Sequence, residues 1–198
     1  MIIPVTQAGV SSGYLPPGAT WYSVYDSYYG TNSTTGSTTR YAPTTSLIPL
    51  FVRAPAQTTV YARKNRFELL IAFDPKTSFA SGELYWDDGD SLFTDIASHN
   101  YHHFNFNATV SSKNTVIVIT KDKSATGITL PALENVELVG HPYIPSFKNV
   151  TVNGSPVKLD MSNSNYSPFT HVANITGSGL INLNKGQTWT LQWPNSAN

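Results

Sequence analysis

Apolar residues along this chain come in short runs, mostly four to seven residues long, bounded by Gly, Pro, Asn, Asp or Ser. The runs include Met1 to Val5, Leu47 to Val52, Phe67 to Phe73, Thr115 to Ile119, Val136 to Val139 and Thr188 to Trp193. That length and that punctuation are those of β-strands. In "YHHFNFNATV" (Tyr101 to Val110) the positions alternate: Tyr101, His103, Asn105 and Asn107 against His102, Phe104, Phe106 and Ala108. A period of two predicts a half-buried strand. "SSKN" (Ser111 to Asn114) then joins it to "TVIVIT" as a hairpin with a short loop. No window of about eleven residues sustains a helical apolar period, so almost no helix is expected.

Two stretches read as loops. "YGTNSTTGSTTRYAPTTS" (Tyr29 to Ser46) is rich in Gly, Ser and Thr and is expected to be an exposed excursion. "SLFTDIASHN" (Ser91 to Asn100) lies between two strand-rich halves and is the expected domain boundary. The fold class that follows is all-β, with two tandem antiparallel β-sandwich domains.

Composition sharpens this picture. The 198 residues suit one large or two small domains. Charged residues are 12% of the chain, about half of the roughly 25% usual in soluble domains. Tyr, Phe, Val, Ile and Thr supply a strand-forming vocabulary. Net charge is zero, so no basic face points to nucleic acid. The absence of cysteine removes disulfides, Cys-ligated zinc and thiol catalysis. N-x-[ST] sequons at Asn32, Asn107, Asn149, Asn153, Asn165 and Asn174 are candidate glycosylation sites and point to the secretory pathway, extracellular or lysosomal. The opening "MIIPVTQAGV" is not a signal peptide, and no apolar stretch reaches the ~18 residues of a membrane span. A secretory chain without a leader is expected to be an internal or C-terminal piece of something longer.

The candidate chemistry is concentrated in "GELYWDDGDS" (Gly82 to Ser91), which holds four acids and Trp86. A glycosidase needs two carboxyls facing each other across a sugar, about 5 to 9.5 Å apart. Asp87, Asp88 and Asp90 on one tight turn do not easily enclose a ring, and their spacing fails the EF-hand pattern. The spacing favours a β-turn at Asp88-Gly89, with a weak cation site as the lesser alternative. His99, His102 and His103 invite zinc, but adjacent residues on a strand point to opposite faces, and His141 and His171 stand alone. Structural roles are favoured. Trp21, Tyr22, Tyr25, Tyr28 and Tyr29 could stack on sugars or close a core, and core is favoured. No motif calls for a cofactor.

Taken in order, "MIIPVTQAGVSSGYLPPGATWYSVYDSYYG", "SLIPLFVRAPA" and "FELLIAFDPKTSFASGELYWDDGDSL" resemble the region after the catalytic barrel of glycoside hydrolase family 31, which includes α-glucosidases. Downstream, "NVTVNGSPV" and "GQTWTLQW" resemble the last β-domain of that family. "FVRAPAQTT" lacks the family's Gly-Gly, and "WYSVYDSYYG" is longer than its usual counterpart. The resemblance implies a proximal C-terminal β-sandwich over residues 1–93 and a distal one over 94–198. It implies a non-catalytic portion of a retaining α-glucosidase, whose nucleophile and acid/base lie on a (β/α)8 barrel that would be this chain's partner. No catalytic residue carries over to any position here. Trp86, Asp87, Asp88, Gly89 and Asp90 would build a structural turn. A free-standing carbohydrate-binding module, taking α-glucan on Trp21, Tyr25 and Tyr28, is the rival expectation.

Overall fold

A computed structural model describes residues 1–3, 5, 9–25, 28–33, 35–42, 49–54, 56–60 and 65–196. Two sheets form its bulk. One runs β14 (Ser155–Pro156), β13 (Thr151–Val152), β17 (Thr188–Ser196), β10 (Asn114–Lys123), β9 (His102–Val110) and β8 (Phe79–Trp86), with β12 (Ile144–Pro145) also on β17. The other runs β15 (Asn165–Ser167), β16 (Val172–Ile181), β11 (Leu133–Val139), β7 (Phe67–Ala72) and β6 (Ala56–Val60). β7 and β11 pair parallel, while their outer neighbours pair antiparallel. The described residues hold no α-helix, and a 3-10 turn spans Phe147–Asn149.

The alternation along β9 has the predicted sense. His102, Phe104, Phe106 and Ala108 are buried, and Tyr101, His103, Asn105 and Asn107 reach solvent. Phe104 and Phe106 meet Phe67, Leu69 and Ile71 of β7, Ile117 and Ile119 of β10, and Trp189, Leu191 and Trp193 of β17 in one core. Burying each such side chain contributes about 1.5–3 kcal/mol. The β9–β10 hairpin closes where expected, with the Ser111 N–H donating to the Asn114 carbonyl at 2.9 Å.

A third layer lies on the outer face of the second sheet. It contains β2 (Thr20–Ser23) between β3 (Asn32–Ser33) and β5 (Phe51–Ala54), together with the pair β1 (Gly9–Leu15) and β4 (Gly36–Ala42). Ile3, Leu15, Trp21 and Phe51 form a small core of its own. Tyr22 and Ala54 pack on Ala72, Val139 and Val172 of the sheet below. The Tyr22 hydroxyl donates to the Phe73 carbonyl at 2.9 Å, and burial, then the nearby Asp74 charge, push the phenol up to about 12. Tyr29 donates to Glu137 at 2.7 Å, and burial raises the Glu137 carboxyl above its ordinary range.

One expectation meets a different arrangement. Within Tyr29 to Ser46, Asn32–Ser33 pairs with β2 and Gly36–Ala42 pairs with β1 over seven residues, so much of the expected loop is strand. Thr and Tyr suit extended backbone, and ladder hydrogen bonds need no apolar side chains. Residues 43–48 lie outside the described residues, as does part of the apolar run at Leu47 to Val52. A cut between residues 93 and 94 passes between β8 and β9, which pair from Phe79↔Thr109 to Trp86↔His102. The main core draws on residues from both sides of that cut. A polar, Asp- and Ser-rich stretch has the same composition whether it links domains or closes a hairpin.

Gly140 sets how closely the third layer approaches. Its φ is +75°, and an added Cβ would lie 2.2 Å from Tyr22 Oη. Gly127 has φ +74° with nothing within 4 Å of the same atom. Gly127→Ala therefore costs only the left-handed backbone, about 1–2 kcal/mol. Gly140→Ala adds overpacking of about 1–3 kcal/mol more. Urea unfolding of the two variants checks this, and equal losses would contradict the close approach.

Candidate functional site

The acid-rich turn closes on itself. Asp87 Oδ1 accepts the Gly89 N–H at 2.8 Å, and Asp88 Oδ1 accepts those of Asp90 and Ser91 at 3.1 and 3.0 Å. The Ser91 hydroxyl donates to the other oxygen of Asp88. These bonds, Ser91's first and then Asp90's, hold the Asp88 carboxyl down at about 2. Asp87 Oδ2 sits 3.1 Å from His99 Nε2. Gly89 has φ +76°, as a residue in that turn requires. Two of the three Asp carboxylates are thus engaged in shaping the turn. Trp86 is buried against Phe67, ring centroids 5.0 Å apart and edge to face.

Around this turn stands a group of rings that spacing alone does not reveal. Phe93 stacks on His99 at 3.8 Å, Tyr85 meets Tyr101 at 4.4 Å, and Lys123 Nζ lies 3.7 Å over Tyr101. Residues 92–101 fold back over the end of β8 to make these contacts, so the loop is fastened to the sheet.

The histidines go separate ways. His102 points inward, donating from Nε2 to the Ile128 carbonyl at 2.9 Å and accepting the Ala125 N–H at Nδ1. His103 points outward to Asp122 at 2.7 Å. No group of three or more His, Asp and Glu able to hold a metal occurs among the described residues. His141 is fully buried beside Trp193 and Tyr166. Its Nδ1 donates to the Tyr143 carbonyl at 2.8 Å, and its Nε2 accepts from the Thr115 hydroxyl at 2.8 Å. Asn195 donates to that hydroxyl at 2.8 Å, so the chain of bonds suits a neutral ring.

Of the aromatic group, Trp21, Tyr22 and Tyr25 are buried, Tyr29 is half-buried, and Tyr28 reaches the surface beside Tyr25. The rival's platform of Trp21 and Tyr25 therefore sits in the core. The sequon residues Asn32, Asn107, Asn149, Asn153 and Asn165 are exposed and Asn174 is half-buried. Asn153 is tied down: its amide donates to the Thr188 carbonyl at 3.2 Å and accepts the Thr190 N–H at 2.7 Å. It forms, with Gly154, the left-handed turn of the β13–β14 hairpin (φ +50° and +78°).

A cavity of about 470 Å3 opens at one end of the layers. Phe73 and Tyr22 lie at its base, and Asn32, Asp74, Phe169 and His171 line it. Sequence reasoning missed it, because its residues come from separated strands and loops that no local pattern connects.

No family model matches the chain. Among curated relatives, an uncharacterised family 31 glucosidase of Schizosaccharomyces pombe is 30% identical over 148 residues, 75% of this chain and 13% of that protein. The lysosomal α-glucosidase of Bos taurus is 31% identical over 147 residues, 74% of this chain and 14% of that protein. The chain belongs to glycoside hydrolase family 31. A solved family 31 dextranase of Flavobacterium johnsoniae shares the fold, with TM-score 0.64 and 18% identity over 98% of this chain and 25% of that one. The chain thus spans a small part of the length of these family 31 proteins. The segments that carry the family likeness are structural here: "FELLIAF" holds β7, "GELYWDDGDS" holds the end of β8 and its turn, and "GQTWTLQW" holds most of β17.

His141 gives this family 31 chain a pH response. Burial holds its imidazole down to about 4 from an ordinary 6.5. The unfolded chain then binds more protons between those values, so stability is full above 6.5 and falls as pH drops toward 4. The loss amounts to about 3 kcal/mol. His141→Gln removes this slope. Urea midpoints of both proteins from pH 7 to 4 check it, and parallel curves would contradict it.

Proposed function

We propose that this chain is the non-catalytic β portion of a family 31 α-glucosidase, silent alone, which braces the catalytic barrel of the same enzyme, in cis or as a separate chain. The observation that carries the reading is the pairing of two facts. The chain aligns over three quarters of its length with a family 31 glucosidase while spanning 13% of it, and two carboxylates of its signature segment, Asp87 and Asp88, are used to shape a turn. Retaining hydrolysis of terminal α-linked glucose is then the work of the barrel, whose two carboxylates must face each other across the sugar.

The third layer supplies the bracing surface. Ile3 and Leu15 turn inward, whereas Ile2, Val10 and Tyr14 turn outward and are 64%, 48% and 59% exposed. Among the described residues β1 and β4 pair with each other alone, and a two-stranded sheet is marginal without a packed face. The chain is expected to release no p-nitrophenol from an α-glucoside by itself. Co-expressed with a barrel portion of the S. pombe relative lacking the corresponding segment, it is expected to co-elute and restore hydrolysis. Val10→Asp with Tyr14→Asp lowers that recovery at least tenfold. Failure to co-elute, or hydrolysis by the chain alone, overturns the reading.

The parent enzyme on this reading passes through the secretory pathway to an extracellular or lysosomal destination, with glycans at Asn107 and Asn165. Asn153 stays bare because its amide is committed to β17. Peptide masses of secreted protein before and after glycan release test this, and an occupied Asn153 contradicts it.

A further inference from the structure

The cavity at the end of the layers differs from the acid-rich turn in one respect: its polar groups are unspent. One oxygen of Asp74 caps the Lys76 N–H at 2.8 Å. Its other oxygen, the Asn32 amide, the Thr170 hydroxyl and the His171 ring have no hydrogen-bond partner among the described residues. Beside them the Phe169 ring is 93% exposed. Leaving so large an apolar ring in water gains the fold nothing. The wall is held in costly backbone: His171 and Ser78, both lining the cavity, have φ +54° and +56°, two of the three non-glycine residues with positive φ among those described. Such conformations persist where the surrounding structure imposes them, and they concentrate at ligand sites.

The composition of the walls selects the ligand. Among the described residues they hold one carboxylate, one imidazole, hydroxyls and an amide, and no Lys or Arg, so a phosphorylated or polyanionic ligand finds no countercharge on them. An uncharged, hydroxyl-rich molecule with an apolar face fits: hydroxyls to Asp74, Asn32 and His171, and a pyranose C–H face on Phe169. The volume of about 470 Å3 lies within the range of ligand pockets, roughly 300–1,000 Å3. We propose that this cavity is a non-catalytic binding site for a short α-linked gluco-oligosaccharide. The choice of α-glucan rests on the family 31 α-glucosidase reading above. The site would hold substrate chains on the accessory layers.

The test uses the full chain, 15N-labelled and made without N-glycans in a bacterial host, titrated with maltotriose, isomaltotriose and cellotriose. Saturable amide shifts at Asn32, Asp74 and Phe169 to His171 are expected with at least one α-linked sugar and not with cellotriose. Phe169→Ala is expected to weaken that binding at least tenfold with an unchanged melting temperature, because the ring packs on so little. Absence of saturable binding by either α-linked sugar, shifts centred instead on Tyr85 and Phe93, or equal affinity in Phe169→Ala overturns the proposal. Equal binding of cellotriose overturns its α-selectivity. Association with a barrel is read from co-elution and hydrolysis and does not involve Phe169, so either idea can fail while the other stands.

Discussion

Strand β7 carries apolar side chains on both faces, Phe67, Leu69 and Ile71 toward the sandwich and Leu70 and Ala72 away from it. That double demand organises the molecule. The first face is covered by the sheet of β8, β9, β10 and β17, and the second by Tyr22, Val52 and Ala54 of the third layer. Its parallel partner β11 can be reached only by a crossover, which the chain makes through β8, β9 and β10 of the opposite sheet. The strands before and after residue 93 are therefore needed together. Separating them would strip one cover from β7.

What could be seen in the residues beforehand was local. The alternation from Tyr101 to Val110, the loop at Ser111 to Asn114 and the left-handed Gly89 are each decided within a few positions, so spacing exposes them. Pairing is not local. Nothing in "FELLIAF" says that its neighbour lies more than sixty positions on, at Leu133. The Ser- and Thr-rich strand Gly36–Ala42 was hidden because its partner β1 supplies hydrogen bonds and little apolar contrast. The resemblance to family 31 compensated for much of this at the level of identity, but it carried no pairing scheme.

The candidate sites teach a related lesson about acids. Asp87 and Asp88 attract notice by being crowded, yet crowding is what makes them bond nearby N–H groups. Asp74 attracts none, and one of its oxygens remains open. A group already bonded within the fold must break that bond to meet a ligand, at about 0.5–1.5 kcal/mol for a neutral bond and more for a charged one. An unbonded group at a cavity wall pays no such exchange. Density of acids along the chain is accordingly no measure of how many of them stay open to a ligand.

The segments that resemble family 31 are occupied, in this fold, with packing and turn formation. Trp86 fills a core position, Gly89 permits a left-handed turn, and the Asp residues bond that turn shut. Each is constrained by the fold. The loops that bring Asn32, Asp74, Phe169 and His171 together are constrained far less by packing, since Phe169 and His171 are exposed. Family membership therefore argues for the frame, and the cavity must be argued from its own geometry.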